Sequence, residues 1–232
     1  MENAARQLSS WQRISVCVGV AVAIAIGAFG TTQLSSAAGL NVVPDRDMPS
    51  LPSGGDIATA VAYDSLSQTY FVAGQFQGIG LNRDGVFTTS AARKRLVAIN
   101  AQTGAVRSFN PGVEATSIDV LYFDQASRQL YVGGQLTTVA NQSRAGLARF
   151  TIAADGETGA LDNSFAPALN QSSRVYDISI AGSSIYVAGK LAFGSGSTGL
   201  GGVVKISSTG VVDTGFVAAD ILQLDPAFLV RD

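Results

Sequence analysis

One strand-like stretch occurs three times in this chain, as Tyr70-Phe-Val-Ala-Gly-Gln-Phe76, Leu130-Tyr-Val-Gly-Gly-Gln-Leu136 and Ile185-Tyr-Val-Ala-Gly-Lys-Leu191. Repetition constrains a fold more tightly than any single motif, because each copy must form the same unit and bury its faces against its neighbours. The context repeats as well. Upstream of each copy lies an apolar run, 57–64, 118–124 and 175–180. Downstream, the segments beginning at Leu96, Leu147 and Val203 each pass through a Thr-Gly pair and end on a phenylalanine, Phe109, Phe165 or Phe216. The unit reads as strand, turn, strand, variable loop, strand, Thr-Gly turn, strand.

The chemistry of each piece suits a four-stranded antiparallel sheet. The segments 64–68, 124–128 and the shorter 181–184 supply turn formers for a first hairpin. The central strand is apolar on both faces, as a strand sandwiched between neighbouring sheets requires. Its small pair (Ala73-Gly74, Gly133-Gly134, Ala188-Gly189) predicts a close backbone approach or a bulge. In the last hairpin, Gly104, Gly159 and Gly210 are expected at positive φ. Tyr70, Tyr131 and Tyr186 read as one recurring core position, and Asp162 and Asp213 as residues that pin the turn after the Thr-Gly pair.

The pattern YVGGQL, LARF, GALDNSF resembles the bacterial delta-60 repeat, a β-propeller-type unit of secreted and surface proteins; the match spans about residues 56–218 and is best in the second repeat. The first repeat lacks the acid of the Gly-x-Leu-Asp-x-x-Phe ending, and the third has Lys190 for the glutamine. The resemblance implies a repetitive extracellular scaffold and carries over no catalytic residue. The expected fold is all-β: a partial β-propeller of three four-stranded blades, with repeats at 56–114, 115–170 and 171–218 and a fourth unit beginning in 219–232. Three blades close poorly around a channel. No capping segment stands out before Asp56 or after Phe216, so self-association through incomplete blades is expected.

The N-terminal segment reads as an address. Arg6 and Arg13 precede an uncharged apolar run over 14–29, followed by polar residues and then Ala37, Ala38 and Gly39. This order predicts a signal helix within 1–38, cleaved after Ala37 or Ala38 or retained as an anchor, which places the rest outside the cytoplasm. Residues 39–55, with their prolines and Asp45 and Asp47, read as a linker into the repeat domain at 56–232.

Composition narrows function by exclusion. The chain has no histidine, and its one cysteine, Cys17, lies inside the apolar run. His-assisted triads, most zinc sites and disulfides in the mature part are thereby removed. A net charge of -2 offers no field for nucleic acid, the only membrane contact expected is through an uncleaved signal, and no cofactor is expected. Loops between the second and third strands differ most between repeats, so recognition of a protein or glycan partner is expected there. The loop 77–95 ends in Arg93-Lys94-Arg95, the predicted ligand-binding triplet. The competing class is an extracellular hydrolase or lyase acting on polysaccharide through carboxylates, with Glu114 and Glu157 as the non-repeated candidates.

Overall fold

The computed structural model describes residues 49–51, 56–83, 86–194, 200–213 and 215–216. The predicted signal, most of the linker and the start of a fourth unit lie outside the described residues. Every element among those described is a β-strand, and every pairing is antiparallel. The fold is all-β.

Three sheets follow one another along the chain. The first orders β2 (Ile57–Asp64), β3 (Thr69–Gln75) and β6 (Leu96–Asn100). The second orders β7 (Val113–Asp124), β8 (Gln129–Val139), β10 (Leu147–Ile152) and β11 (Gly159–Leu161), with the short β9 (Gln142–Ser143) also on β8. The third orders β12 (Arg174–Ala181), β13 (Ser184–Leu191) and β14 (Leu200–Ile206). The expected fourth strand is a true strand only in the second sheet. In the first and third it shrinks to single bridges, Ile99 to Val106 and Ile206 to Val212.

The small pair does what its side chains predict. In each sheet the first strand bulges opposite it, at Thr59, Asp119 and Tyr176, where the register skips from Ala58 to Ala60, Ile118 to Val120 and Val175 to Asp177. The glycine of each pair then lies against the carbonyl just before the bulge: a Cβ on Gly74, Gly134 or Gly189 would overlap the oxygen of Ile57, Ser117 or Arg174. The Thr-Gly expectation holds for Gly104 and Gly210, both at positive φ, and fails in the second sheet. There the turn is longer, Gly156 takes the positive φ, and Gly159 opens β11 where a Cβ would collide with Phe109 and Ile152.

Register also corrects the tyrosines. Ala62 pairs Phe71, Tyr122 pairs Tyr131 and Ser179 pairs Tyr186, so Phe71, not Tyr70, shares the position of Tyr131 and Tyr186. Side chains alternate across a strand, and Tyr70 accordingly lies against Tyr63 on the opposite face, the rings tilted with centroids 4.8 Å apart. On what we term the front face, the terminal phenylalanine meets this position edge-on in every sheet: Phe71 with Phe109, Tyr131 with Phe165, and Tyr186 with Phe216.

Two cores result. The front of the first sheet packs on the rear of the second, burying Phe71, Phe109, Phe123, Leu130, Val132 and Phe150. The front of the second packs on the rear of the third through Tyr131, Phe165, Ile178, Ile185, Val187 and Ile206. The loop after β3 is itself structured: β4 (Ile79–Arg83) and β5 (Val86–Ala91) form a hairpin, and β1 (Pro49–Ser50), from the segment read as linker, pairs with β4. Leu51, Phe76, Ile79 and Ala91 of this region pack with Val72, Val97, Ile99 and Val106 of the first sheet. A cover over part of that rear face was not expected from the sequence. Val61 remains 62% exposed beside it.

Candidate functional site

Acidic side chains are the first place to look for chemistry, and six of those described are committed to basic partners, while Asp124, Asp155 and Asp177 bond only neutral groups. Glu157 accepts from Arg107 Nη1 and from the Ser108 backbone N–H; that backbone bond and the guanidinium hold its carboxyl below the usual range. Glu114 takes both its bonds from Lys94 Nζ, at 2.7 and 2.6 Å. The two residues considered for carboxylate catalysis thus serve separate ion pairs, each joining the first sheet to the second. Asp64 is fully buried and accepts from Arg128, Ser67 and Leu66 N–H. Burial alone would raise its pKa, but Arg128, Ser67 and the backbone bond outweigh that and lower it. No cluster of three or more metal-ligating side chains occurs among the described residues.

Asp162 and Asp213 pin the turn, as their spacing suggested. Asp162 accepts from Ser164 N–H and Oγ on one oxygen and from Arg149 on the other; Asp213 accepts from Gly215 N–H and from Lys205. Both bases lie on the third strand at one register position, since Asp162 N–H bonds Arg149 O and Asp213 N–H bonds Lys205 O. In the first sheet the same backbone bond joins Arg107 to Ala98, so the pair is lost. Arg107 instead crosses to the second sheet, reaching Asp155 O at 3.0 Å and Glu157.

The predicted triplet lies along the rim where third strands begin. Arg93 donates to Ala92 O and Arg107 O, Lys94 pairs with Glu114, and Arg95 reaches Thr116 O at 3.5 Å from a backbone at φ 64°. All three contact the body of the protein rather than projecting as a free loop. Arg93 and Arg95 nevertheless meet only neutral oxygens.

The rim continues into the second sheet. Glu114 O accepts from Thr137 Oγ1, and Thr137 O accepts from Gln171 Nε2 at 3.4 Å. Gln171 lines a cavity of about 270 Å³ together with Ser143, Arg144, Pro167, Leu169 and Asn170. Arg144 stands two residues before Gly146, whose carbonyl accepts from Gly134 N–H; Arg93 stands two before Arg95, whose carbonyl accepts from Gly74 N–H. The two arginines therefore occupy equivalent positions. In the sequence Arg144 is a lone charge without a motif around it, although its spacing from the strand matches that of Arg93.

A rim of guanidinium groups bonded to neutral oxygens can hold an anion. A scan against protein-family models and a search of curated proteins each returned no match.

Proposed function

We propose that this chain is an exported, non-catalytic scaffold or interaction module of the β-propeller-like, delta-60 type, acting at the cell surface or in the extracellular space. Three successive sheets with the same bulge, the same glycine contact and the same aromatic pair support a blade-like repeat. The observation that carries the non-catalytic reading is the fate of the carboxylates: Asp64, Glu114, Asp119, Glu157, Asp162 and Asp213 are each in an ion pair. The apolar run ahead of the repeats supports export. Recognition of a protein or glycan by the rim is the activity such a scaffold would host.

The test combines cell fractionation with a turnover screen. The protein is expected outside the cytoplasm, starting near Ala38 or Gly39 by mass spectrometry if the signal is cleaved, and inert toward polysaccharides. Full-length protein confined to the cytosol, or steady release of sugar products, would sink the reading. The front of the third sheet adds a partner expectation. Its Tyr186–Phe216 pair is half-buried, whereas Phe109 and Phe165, at the position of Phe216, are buried by the next sheet. Light scattering across a concentration series should show association that weakens in Tyr186→Ser; a strictly monomeric species throughout would count against it.

A further inference from the structure

We infer that the cavity beside Arg144 is a binding site for a single acidic sugar ring, with the guanidinium receiving its carboxylate. The inference deepens the scaffold reading, on which it rests, by naming a ligand class for the rim. Arg144 donates Nη1–H to Ser143 O at 2.9 Å and Nη2–H to Asn163 Oδ1 at 2.8 Å and Gln142 Oε1 at 3.4 Å. Its Nε–H is withdrawn from solvent and has no partner. Every one of these acceptors is neutral. By contrast Arg107, Arg128, Arg149 and Arg174 each hold a carboxylate. An arginine that lines a cavity and has only neutral acceptors keeps one uncompensated positive charge to offer.

The rest of the wall selects among anions. Among the described residues Arg144 is the only charged one of the lining, so a singly charged carboxylate is matched while a doubly charged phosphate is left half compensated. Ser143 and Gln171 line it with a hydroxyl and an amide, which suit ring hydroxyls, while the Asn170 amide is held by Gly194 O and Ser172 N–H, and Pro167 and Leu169 offer carbon to the C–H face of a ring. Among the described residues no aromatic side chain lines the cavity, so a neutral sugar would lack the stacking surface that could replace the charge. A volume of about 270 Å³ lies just under the usual span of small-molecule sites and admits one ring rather than an extended chain.

The experiment titrates the full-length, 15N-labelled chain with sodium galacturonate, with glucose and sodium acetate at matched concentration and ionic strength as separate arms. Galacturonate should shift the Arg144 Nε–H and the Gln171 and Asn170 side-chain amides saturably, and the other two probes should not. Arg144→Gln should weaken binding by about tenfold or more, as expected for a lost charge-assisted bond, and Arg144→Lys by less, since charge remains without the fork. If Arg144→Gln fails to fold, Arg144→Lys and Gln171→Ala decide the matter. Acetate binding as well as galacturonate would overturn the sugar assignment, equal binding of glucose would overturn the role of charge, and unchanged binding in the variants, or none by the parent, would overturn the site. Failure of binding in a protein that is exported and inert leaves the scaffold reading standing. Cleavage of an added oligogalacturonate would instead overturn the scaffold reading.

Discussion

The interface between the first and second sheets and that between the second and third use the same positions with different chemistry. In the first, Phe71 and Phe109 from the front meet Phe123 and Phe150 from the rear, with Phe71 stacked on Phe123 at 5.6 Å and Phe109 edge-on to Phe150 at 5.5 Å. Pairing register places Ile180 and Ile206 of the third sheet where Phe123 and Phe150 stand in the second. The smaller rear side chains leave room, and it is filled from the front: Arg149 lies 4.4 Å above the Phe165 ring and 5.7 Å from that of Tyr131. At the position of Arg149 the first sheet has Ala98, beneath the bulkier phenylalanines. One backbone frame thus accepts carbon on carbon, or an arginine neutralised by Asp162 and spread over aromatic faces.

The polar clamps differ for a reason that lies in loop length. Arg128 ends the first hairpin of the second sheet at φ 55° and reaches back to Asp64, while also donating to Ile152 O and Ala153 O. The third sheet turns its hairpin through the shorter 181–184, which carries no arginine, so Asp124 keeps bonds to Ala126 N–H and Ser127 Oγ only. The second interface is clamped instead at the bulge, where Asp119 takes two bonds from Arg174, at 2.8 and 2.9 Å. At the equivalent bulge of the first sheet, Thr59 Oγ1 donates to Ile118 O.

Removing the hairpin clamp should break the symmetry of the two interfaces most sharply. Arg128→Ala leaves a fully buried Asp64 carboxylate without its counter-ion, and breaking such a pair costs about 3–5 kcal/mol. Arg174→Ala acts at a site where the arginine is 40% exposed, so a much smaller loss is expected there. Urea unfolding of the two variants measures the difference; equal midpoints would show that the first interface does not depend on its buried charge.

Next in size is the bulge shared by all three sheets. Gly134→Val forces a β-branched side chain into the Ser117 carbonyl and should destabilise by roughly 1–3 kcal/mol. Gly112→Ala is the control, because its added Cβ would meet nothing within 4 Å and only its positive φ is strained. A parent-like melting temperature for Gly134→Val would mean that the bulge yields freely.

Acid should act on the second interface through Asp162, whose carboxyl pKa, in spite of its burial, is lowered by Ser164 and Arg149, and on the first through two groups. Asp64 and Glu157 both bridge it and both have depressed carboxyl pKa values, Asp64 because Arg128, Ser67 and a backbone N–H overcome its burial, and Glu157 chiefly through the Ser108 N–H. A depressed folded-state pKa means that the contribution is complete above the unfolded carboxylate range, about pH 4–5, and is lost as pH falls through the folded value. The melting temperature should therefore hold from neutral pH to about 5 and fall below about 4. The fall should be shallower in Asp64→Asn, and an equally steep fall in that variant would remove Asp64 from the account.

What was legible in the sequence is what repeats locally. The bulge was foreseen because a small pair recurs at Gly74, Gly134 and Gly189, and the turn-pinning role of Asp162 because it stands a fixed step beyond a glycine. What escaped depends on distant partners or on compensation. Asp64 and Arg128 lie 64 residues apart, and nothing in either hairpin marks the other. The exchange of Ala98 with Phe150 for Arg149 with Ile206 is visible only when both faces are seen together. The rim triplet stands out in the sequence by its charge density, while Arg144, the residue with a cavity beside it, has no charged neighbour.

The smallest expected effect concerns that triplet. Lys94 and Glu114 join the same two sheets as Arg128 and Asp64, with a contact just as short, 2.6 Å in each case. Distance alone would rank the pairs equal. Exposure separates them: the Lys94 and Glu114 side chains are 40% and 51% exposed, whereas those of Arg128 and Asp64 are 18% and 0% exposed. In water the Coulomb gain is screened and two long side chains lose rotamer freedom, so such a pair contributes about 0–1 kcal/mol. Lys94→Ala should therefore shift stability by about 0.5 kcal/mol or less, and that shift should vanish as salt is raised toward about 1 M, where the screening length is about 3 Å. Urea unfolding of parent and variant at low and high salt provides the measurement. A loss approaching that of Arg128→Ala, or one insensitive to salt, would mean that the rim pair is shielded from solvent and that the interface is clamped at both ends rather than at its buried end alone.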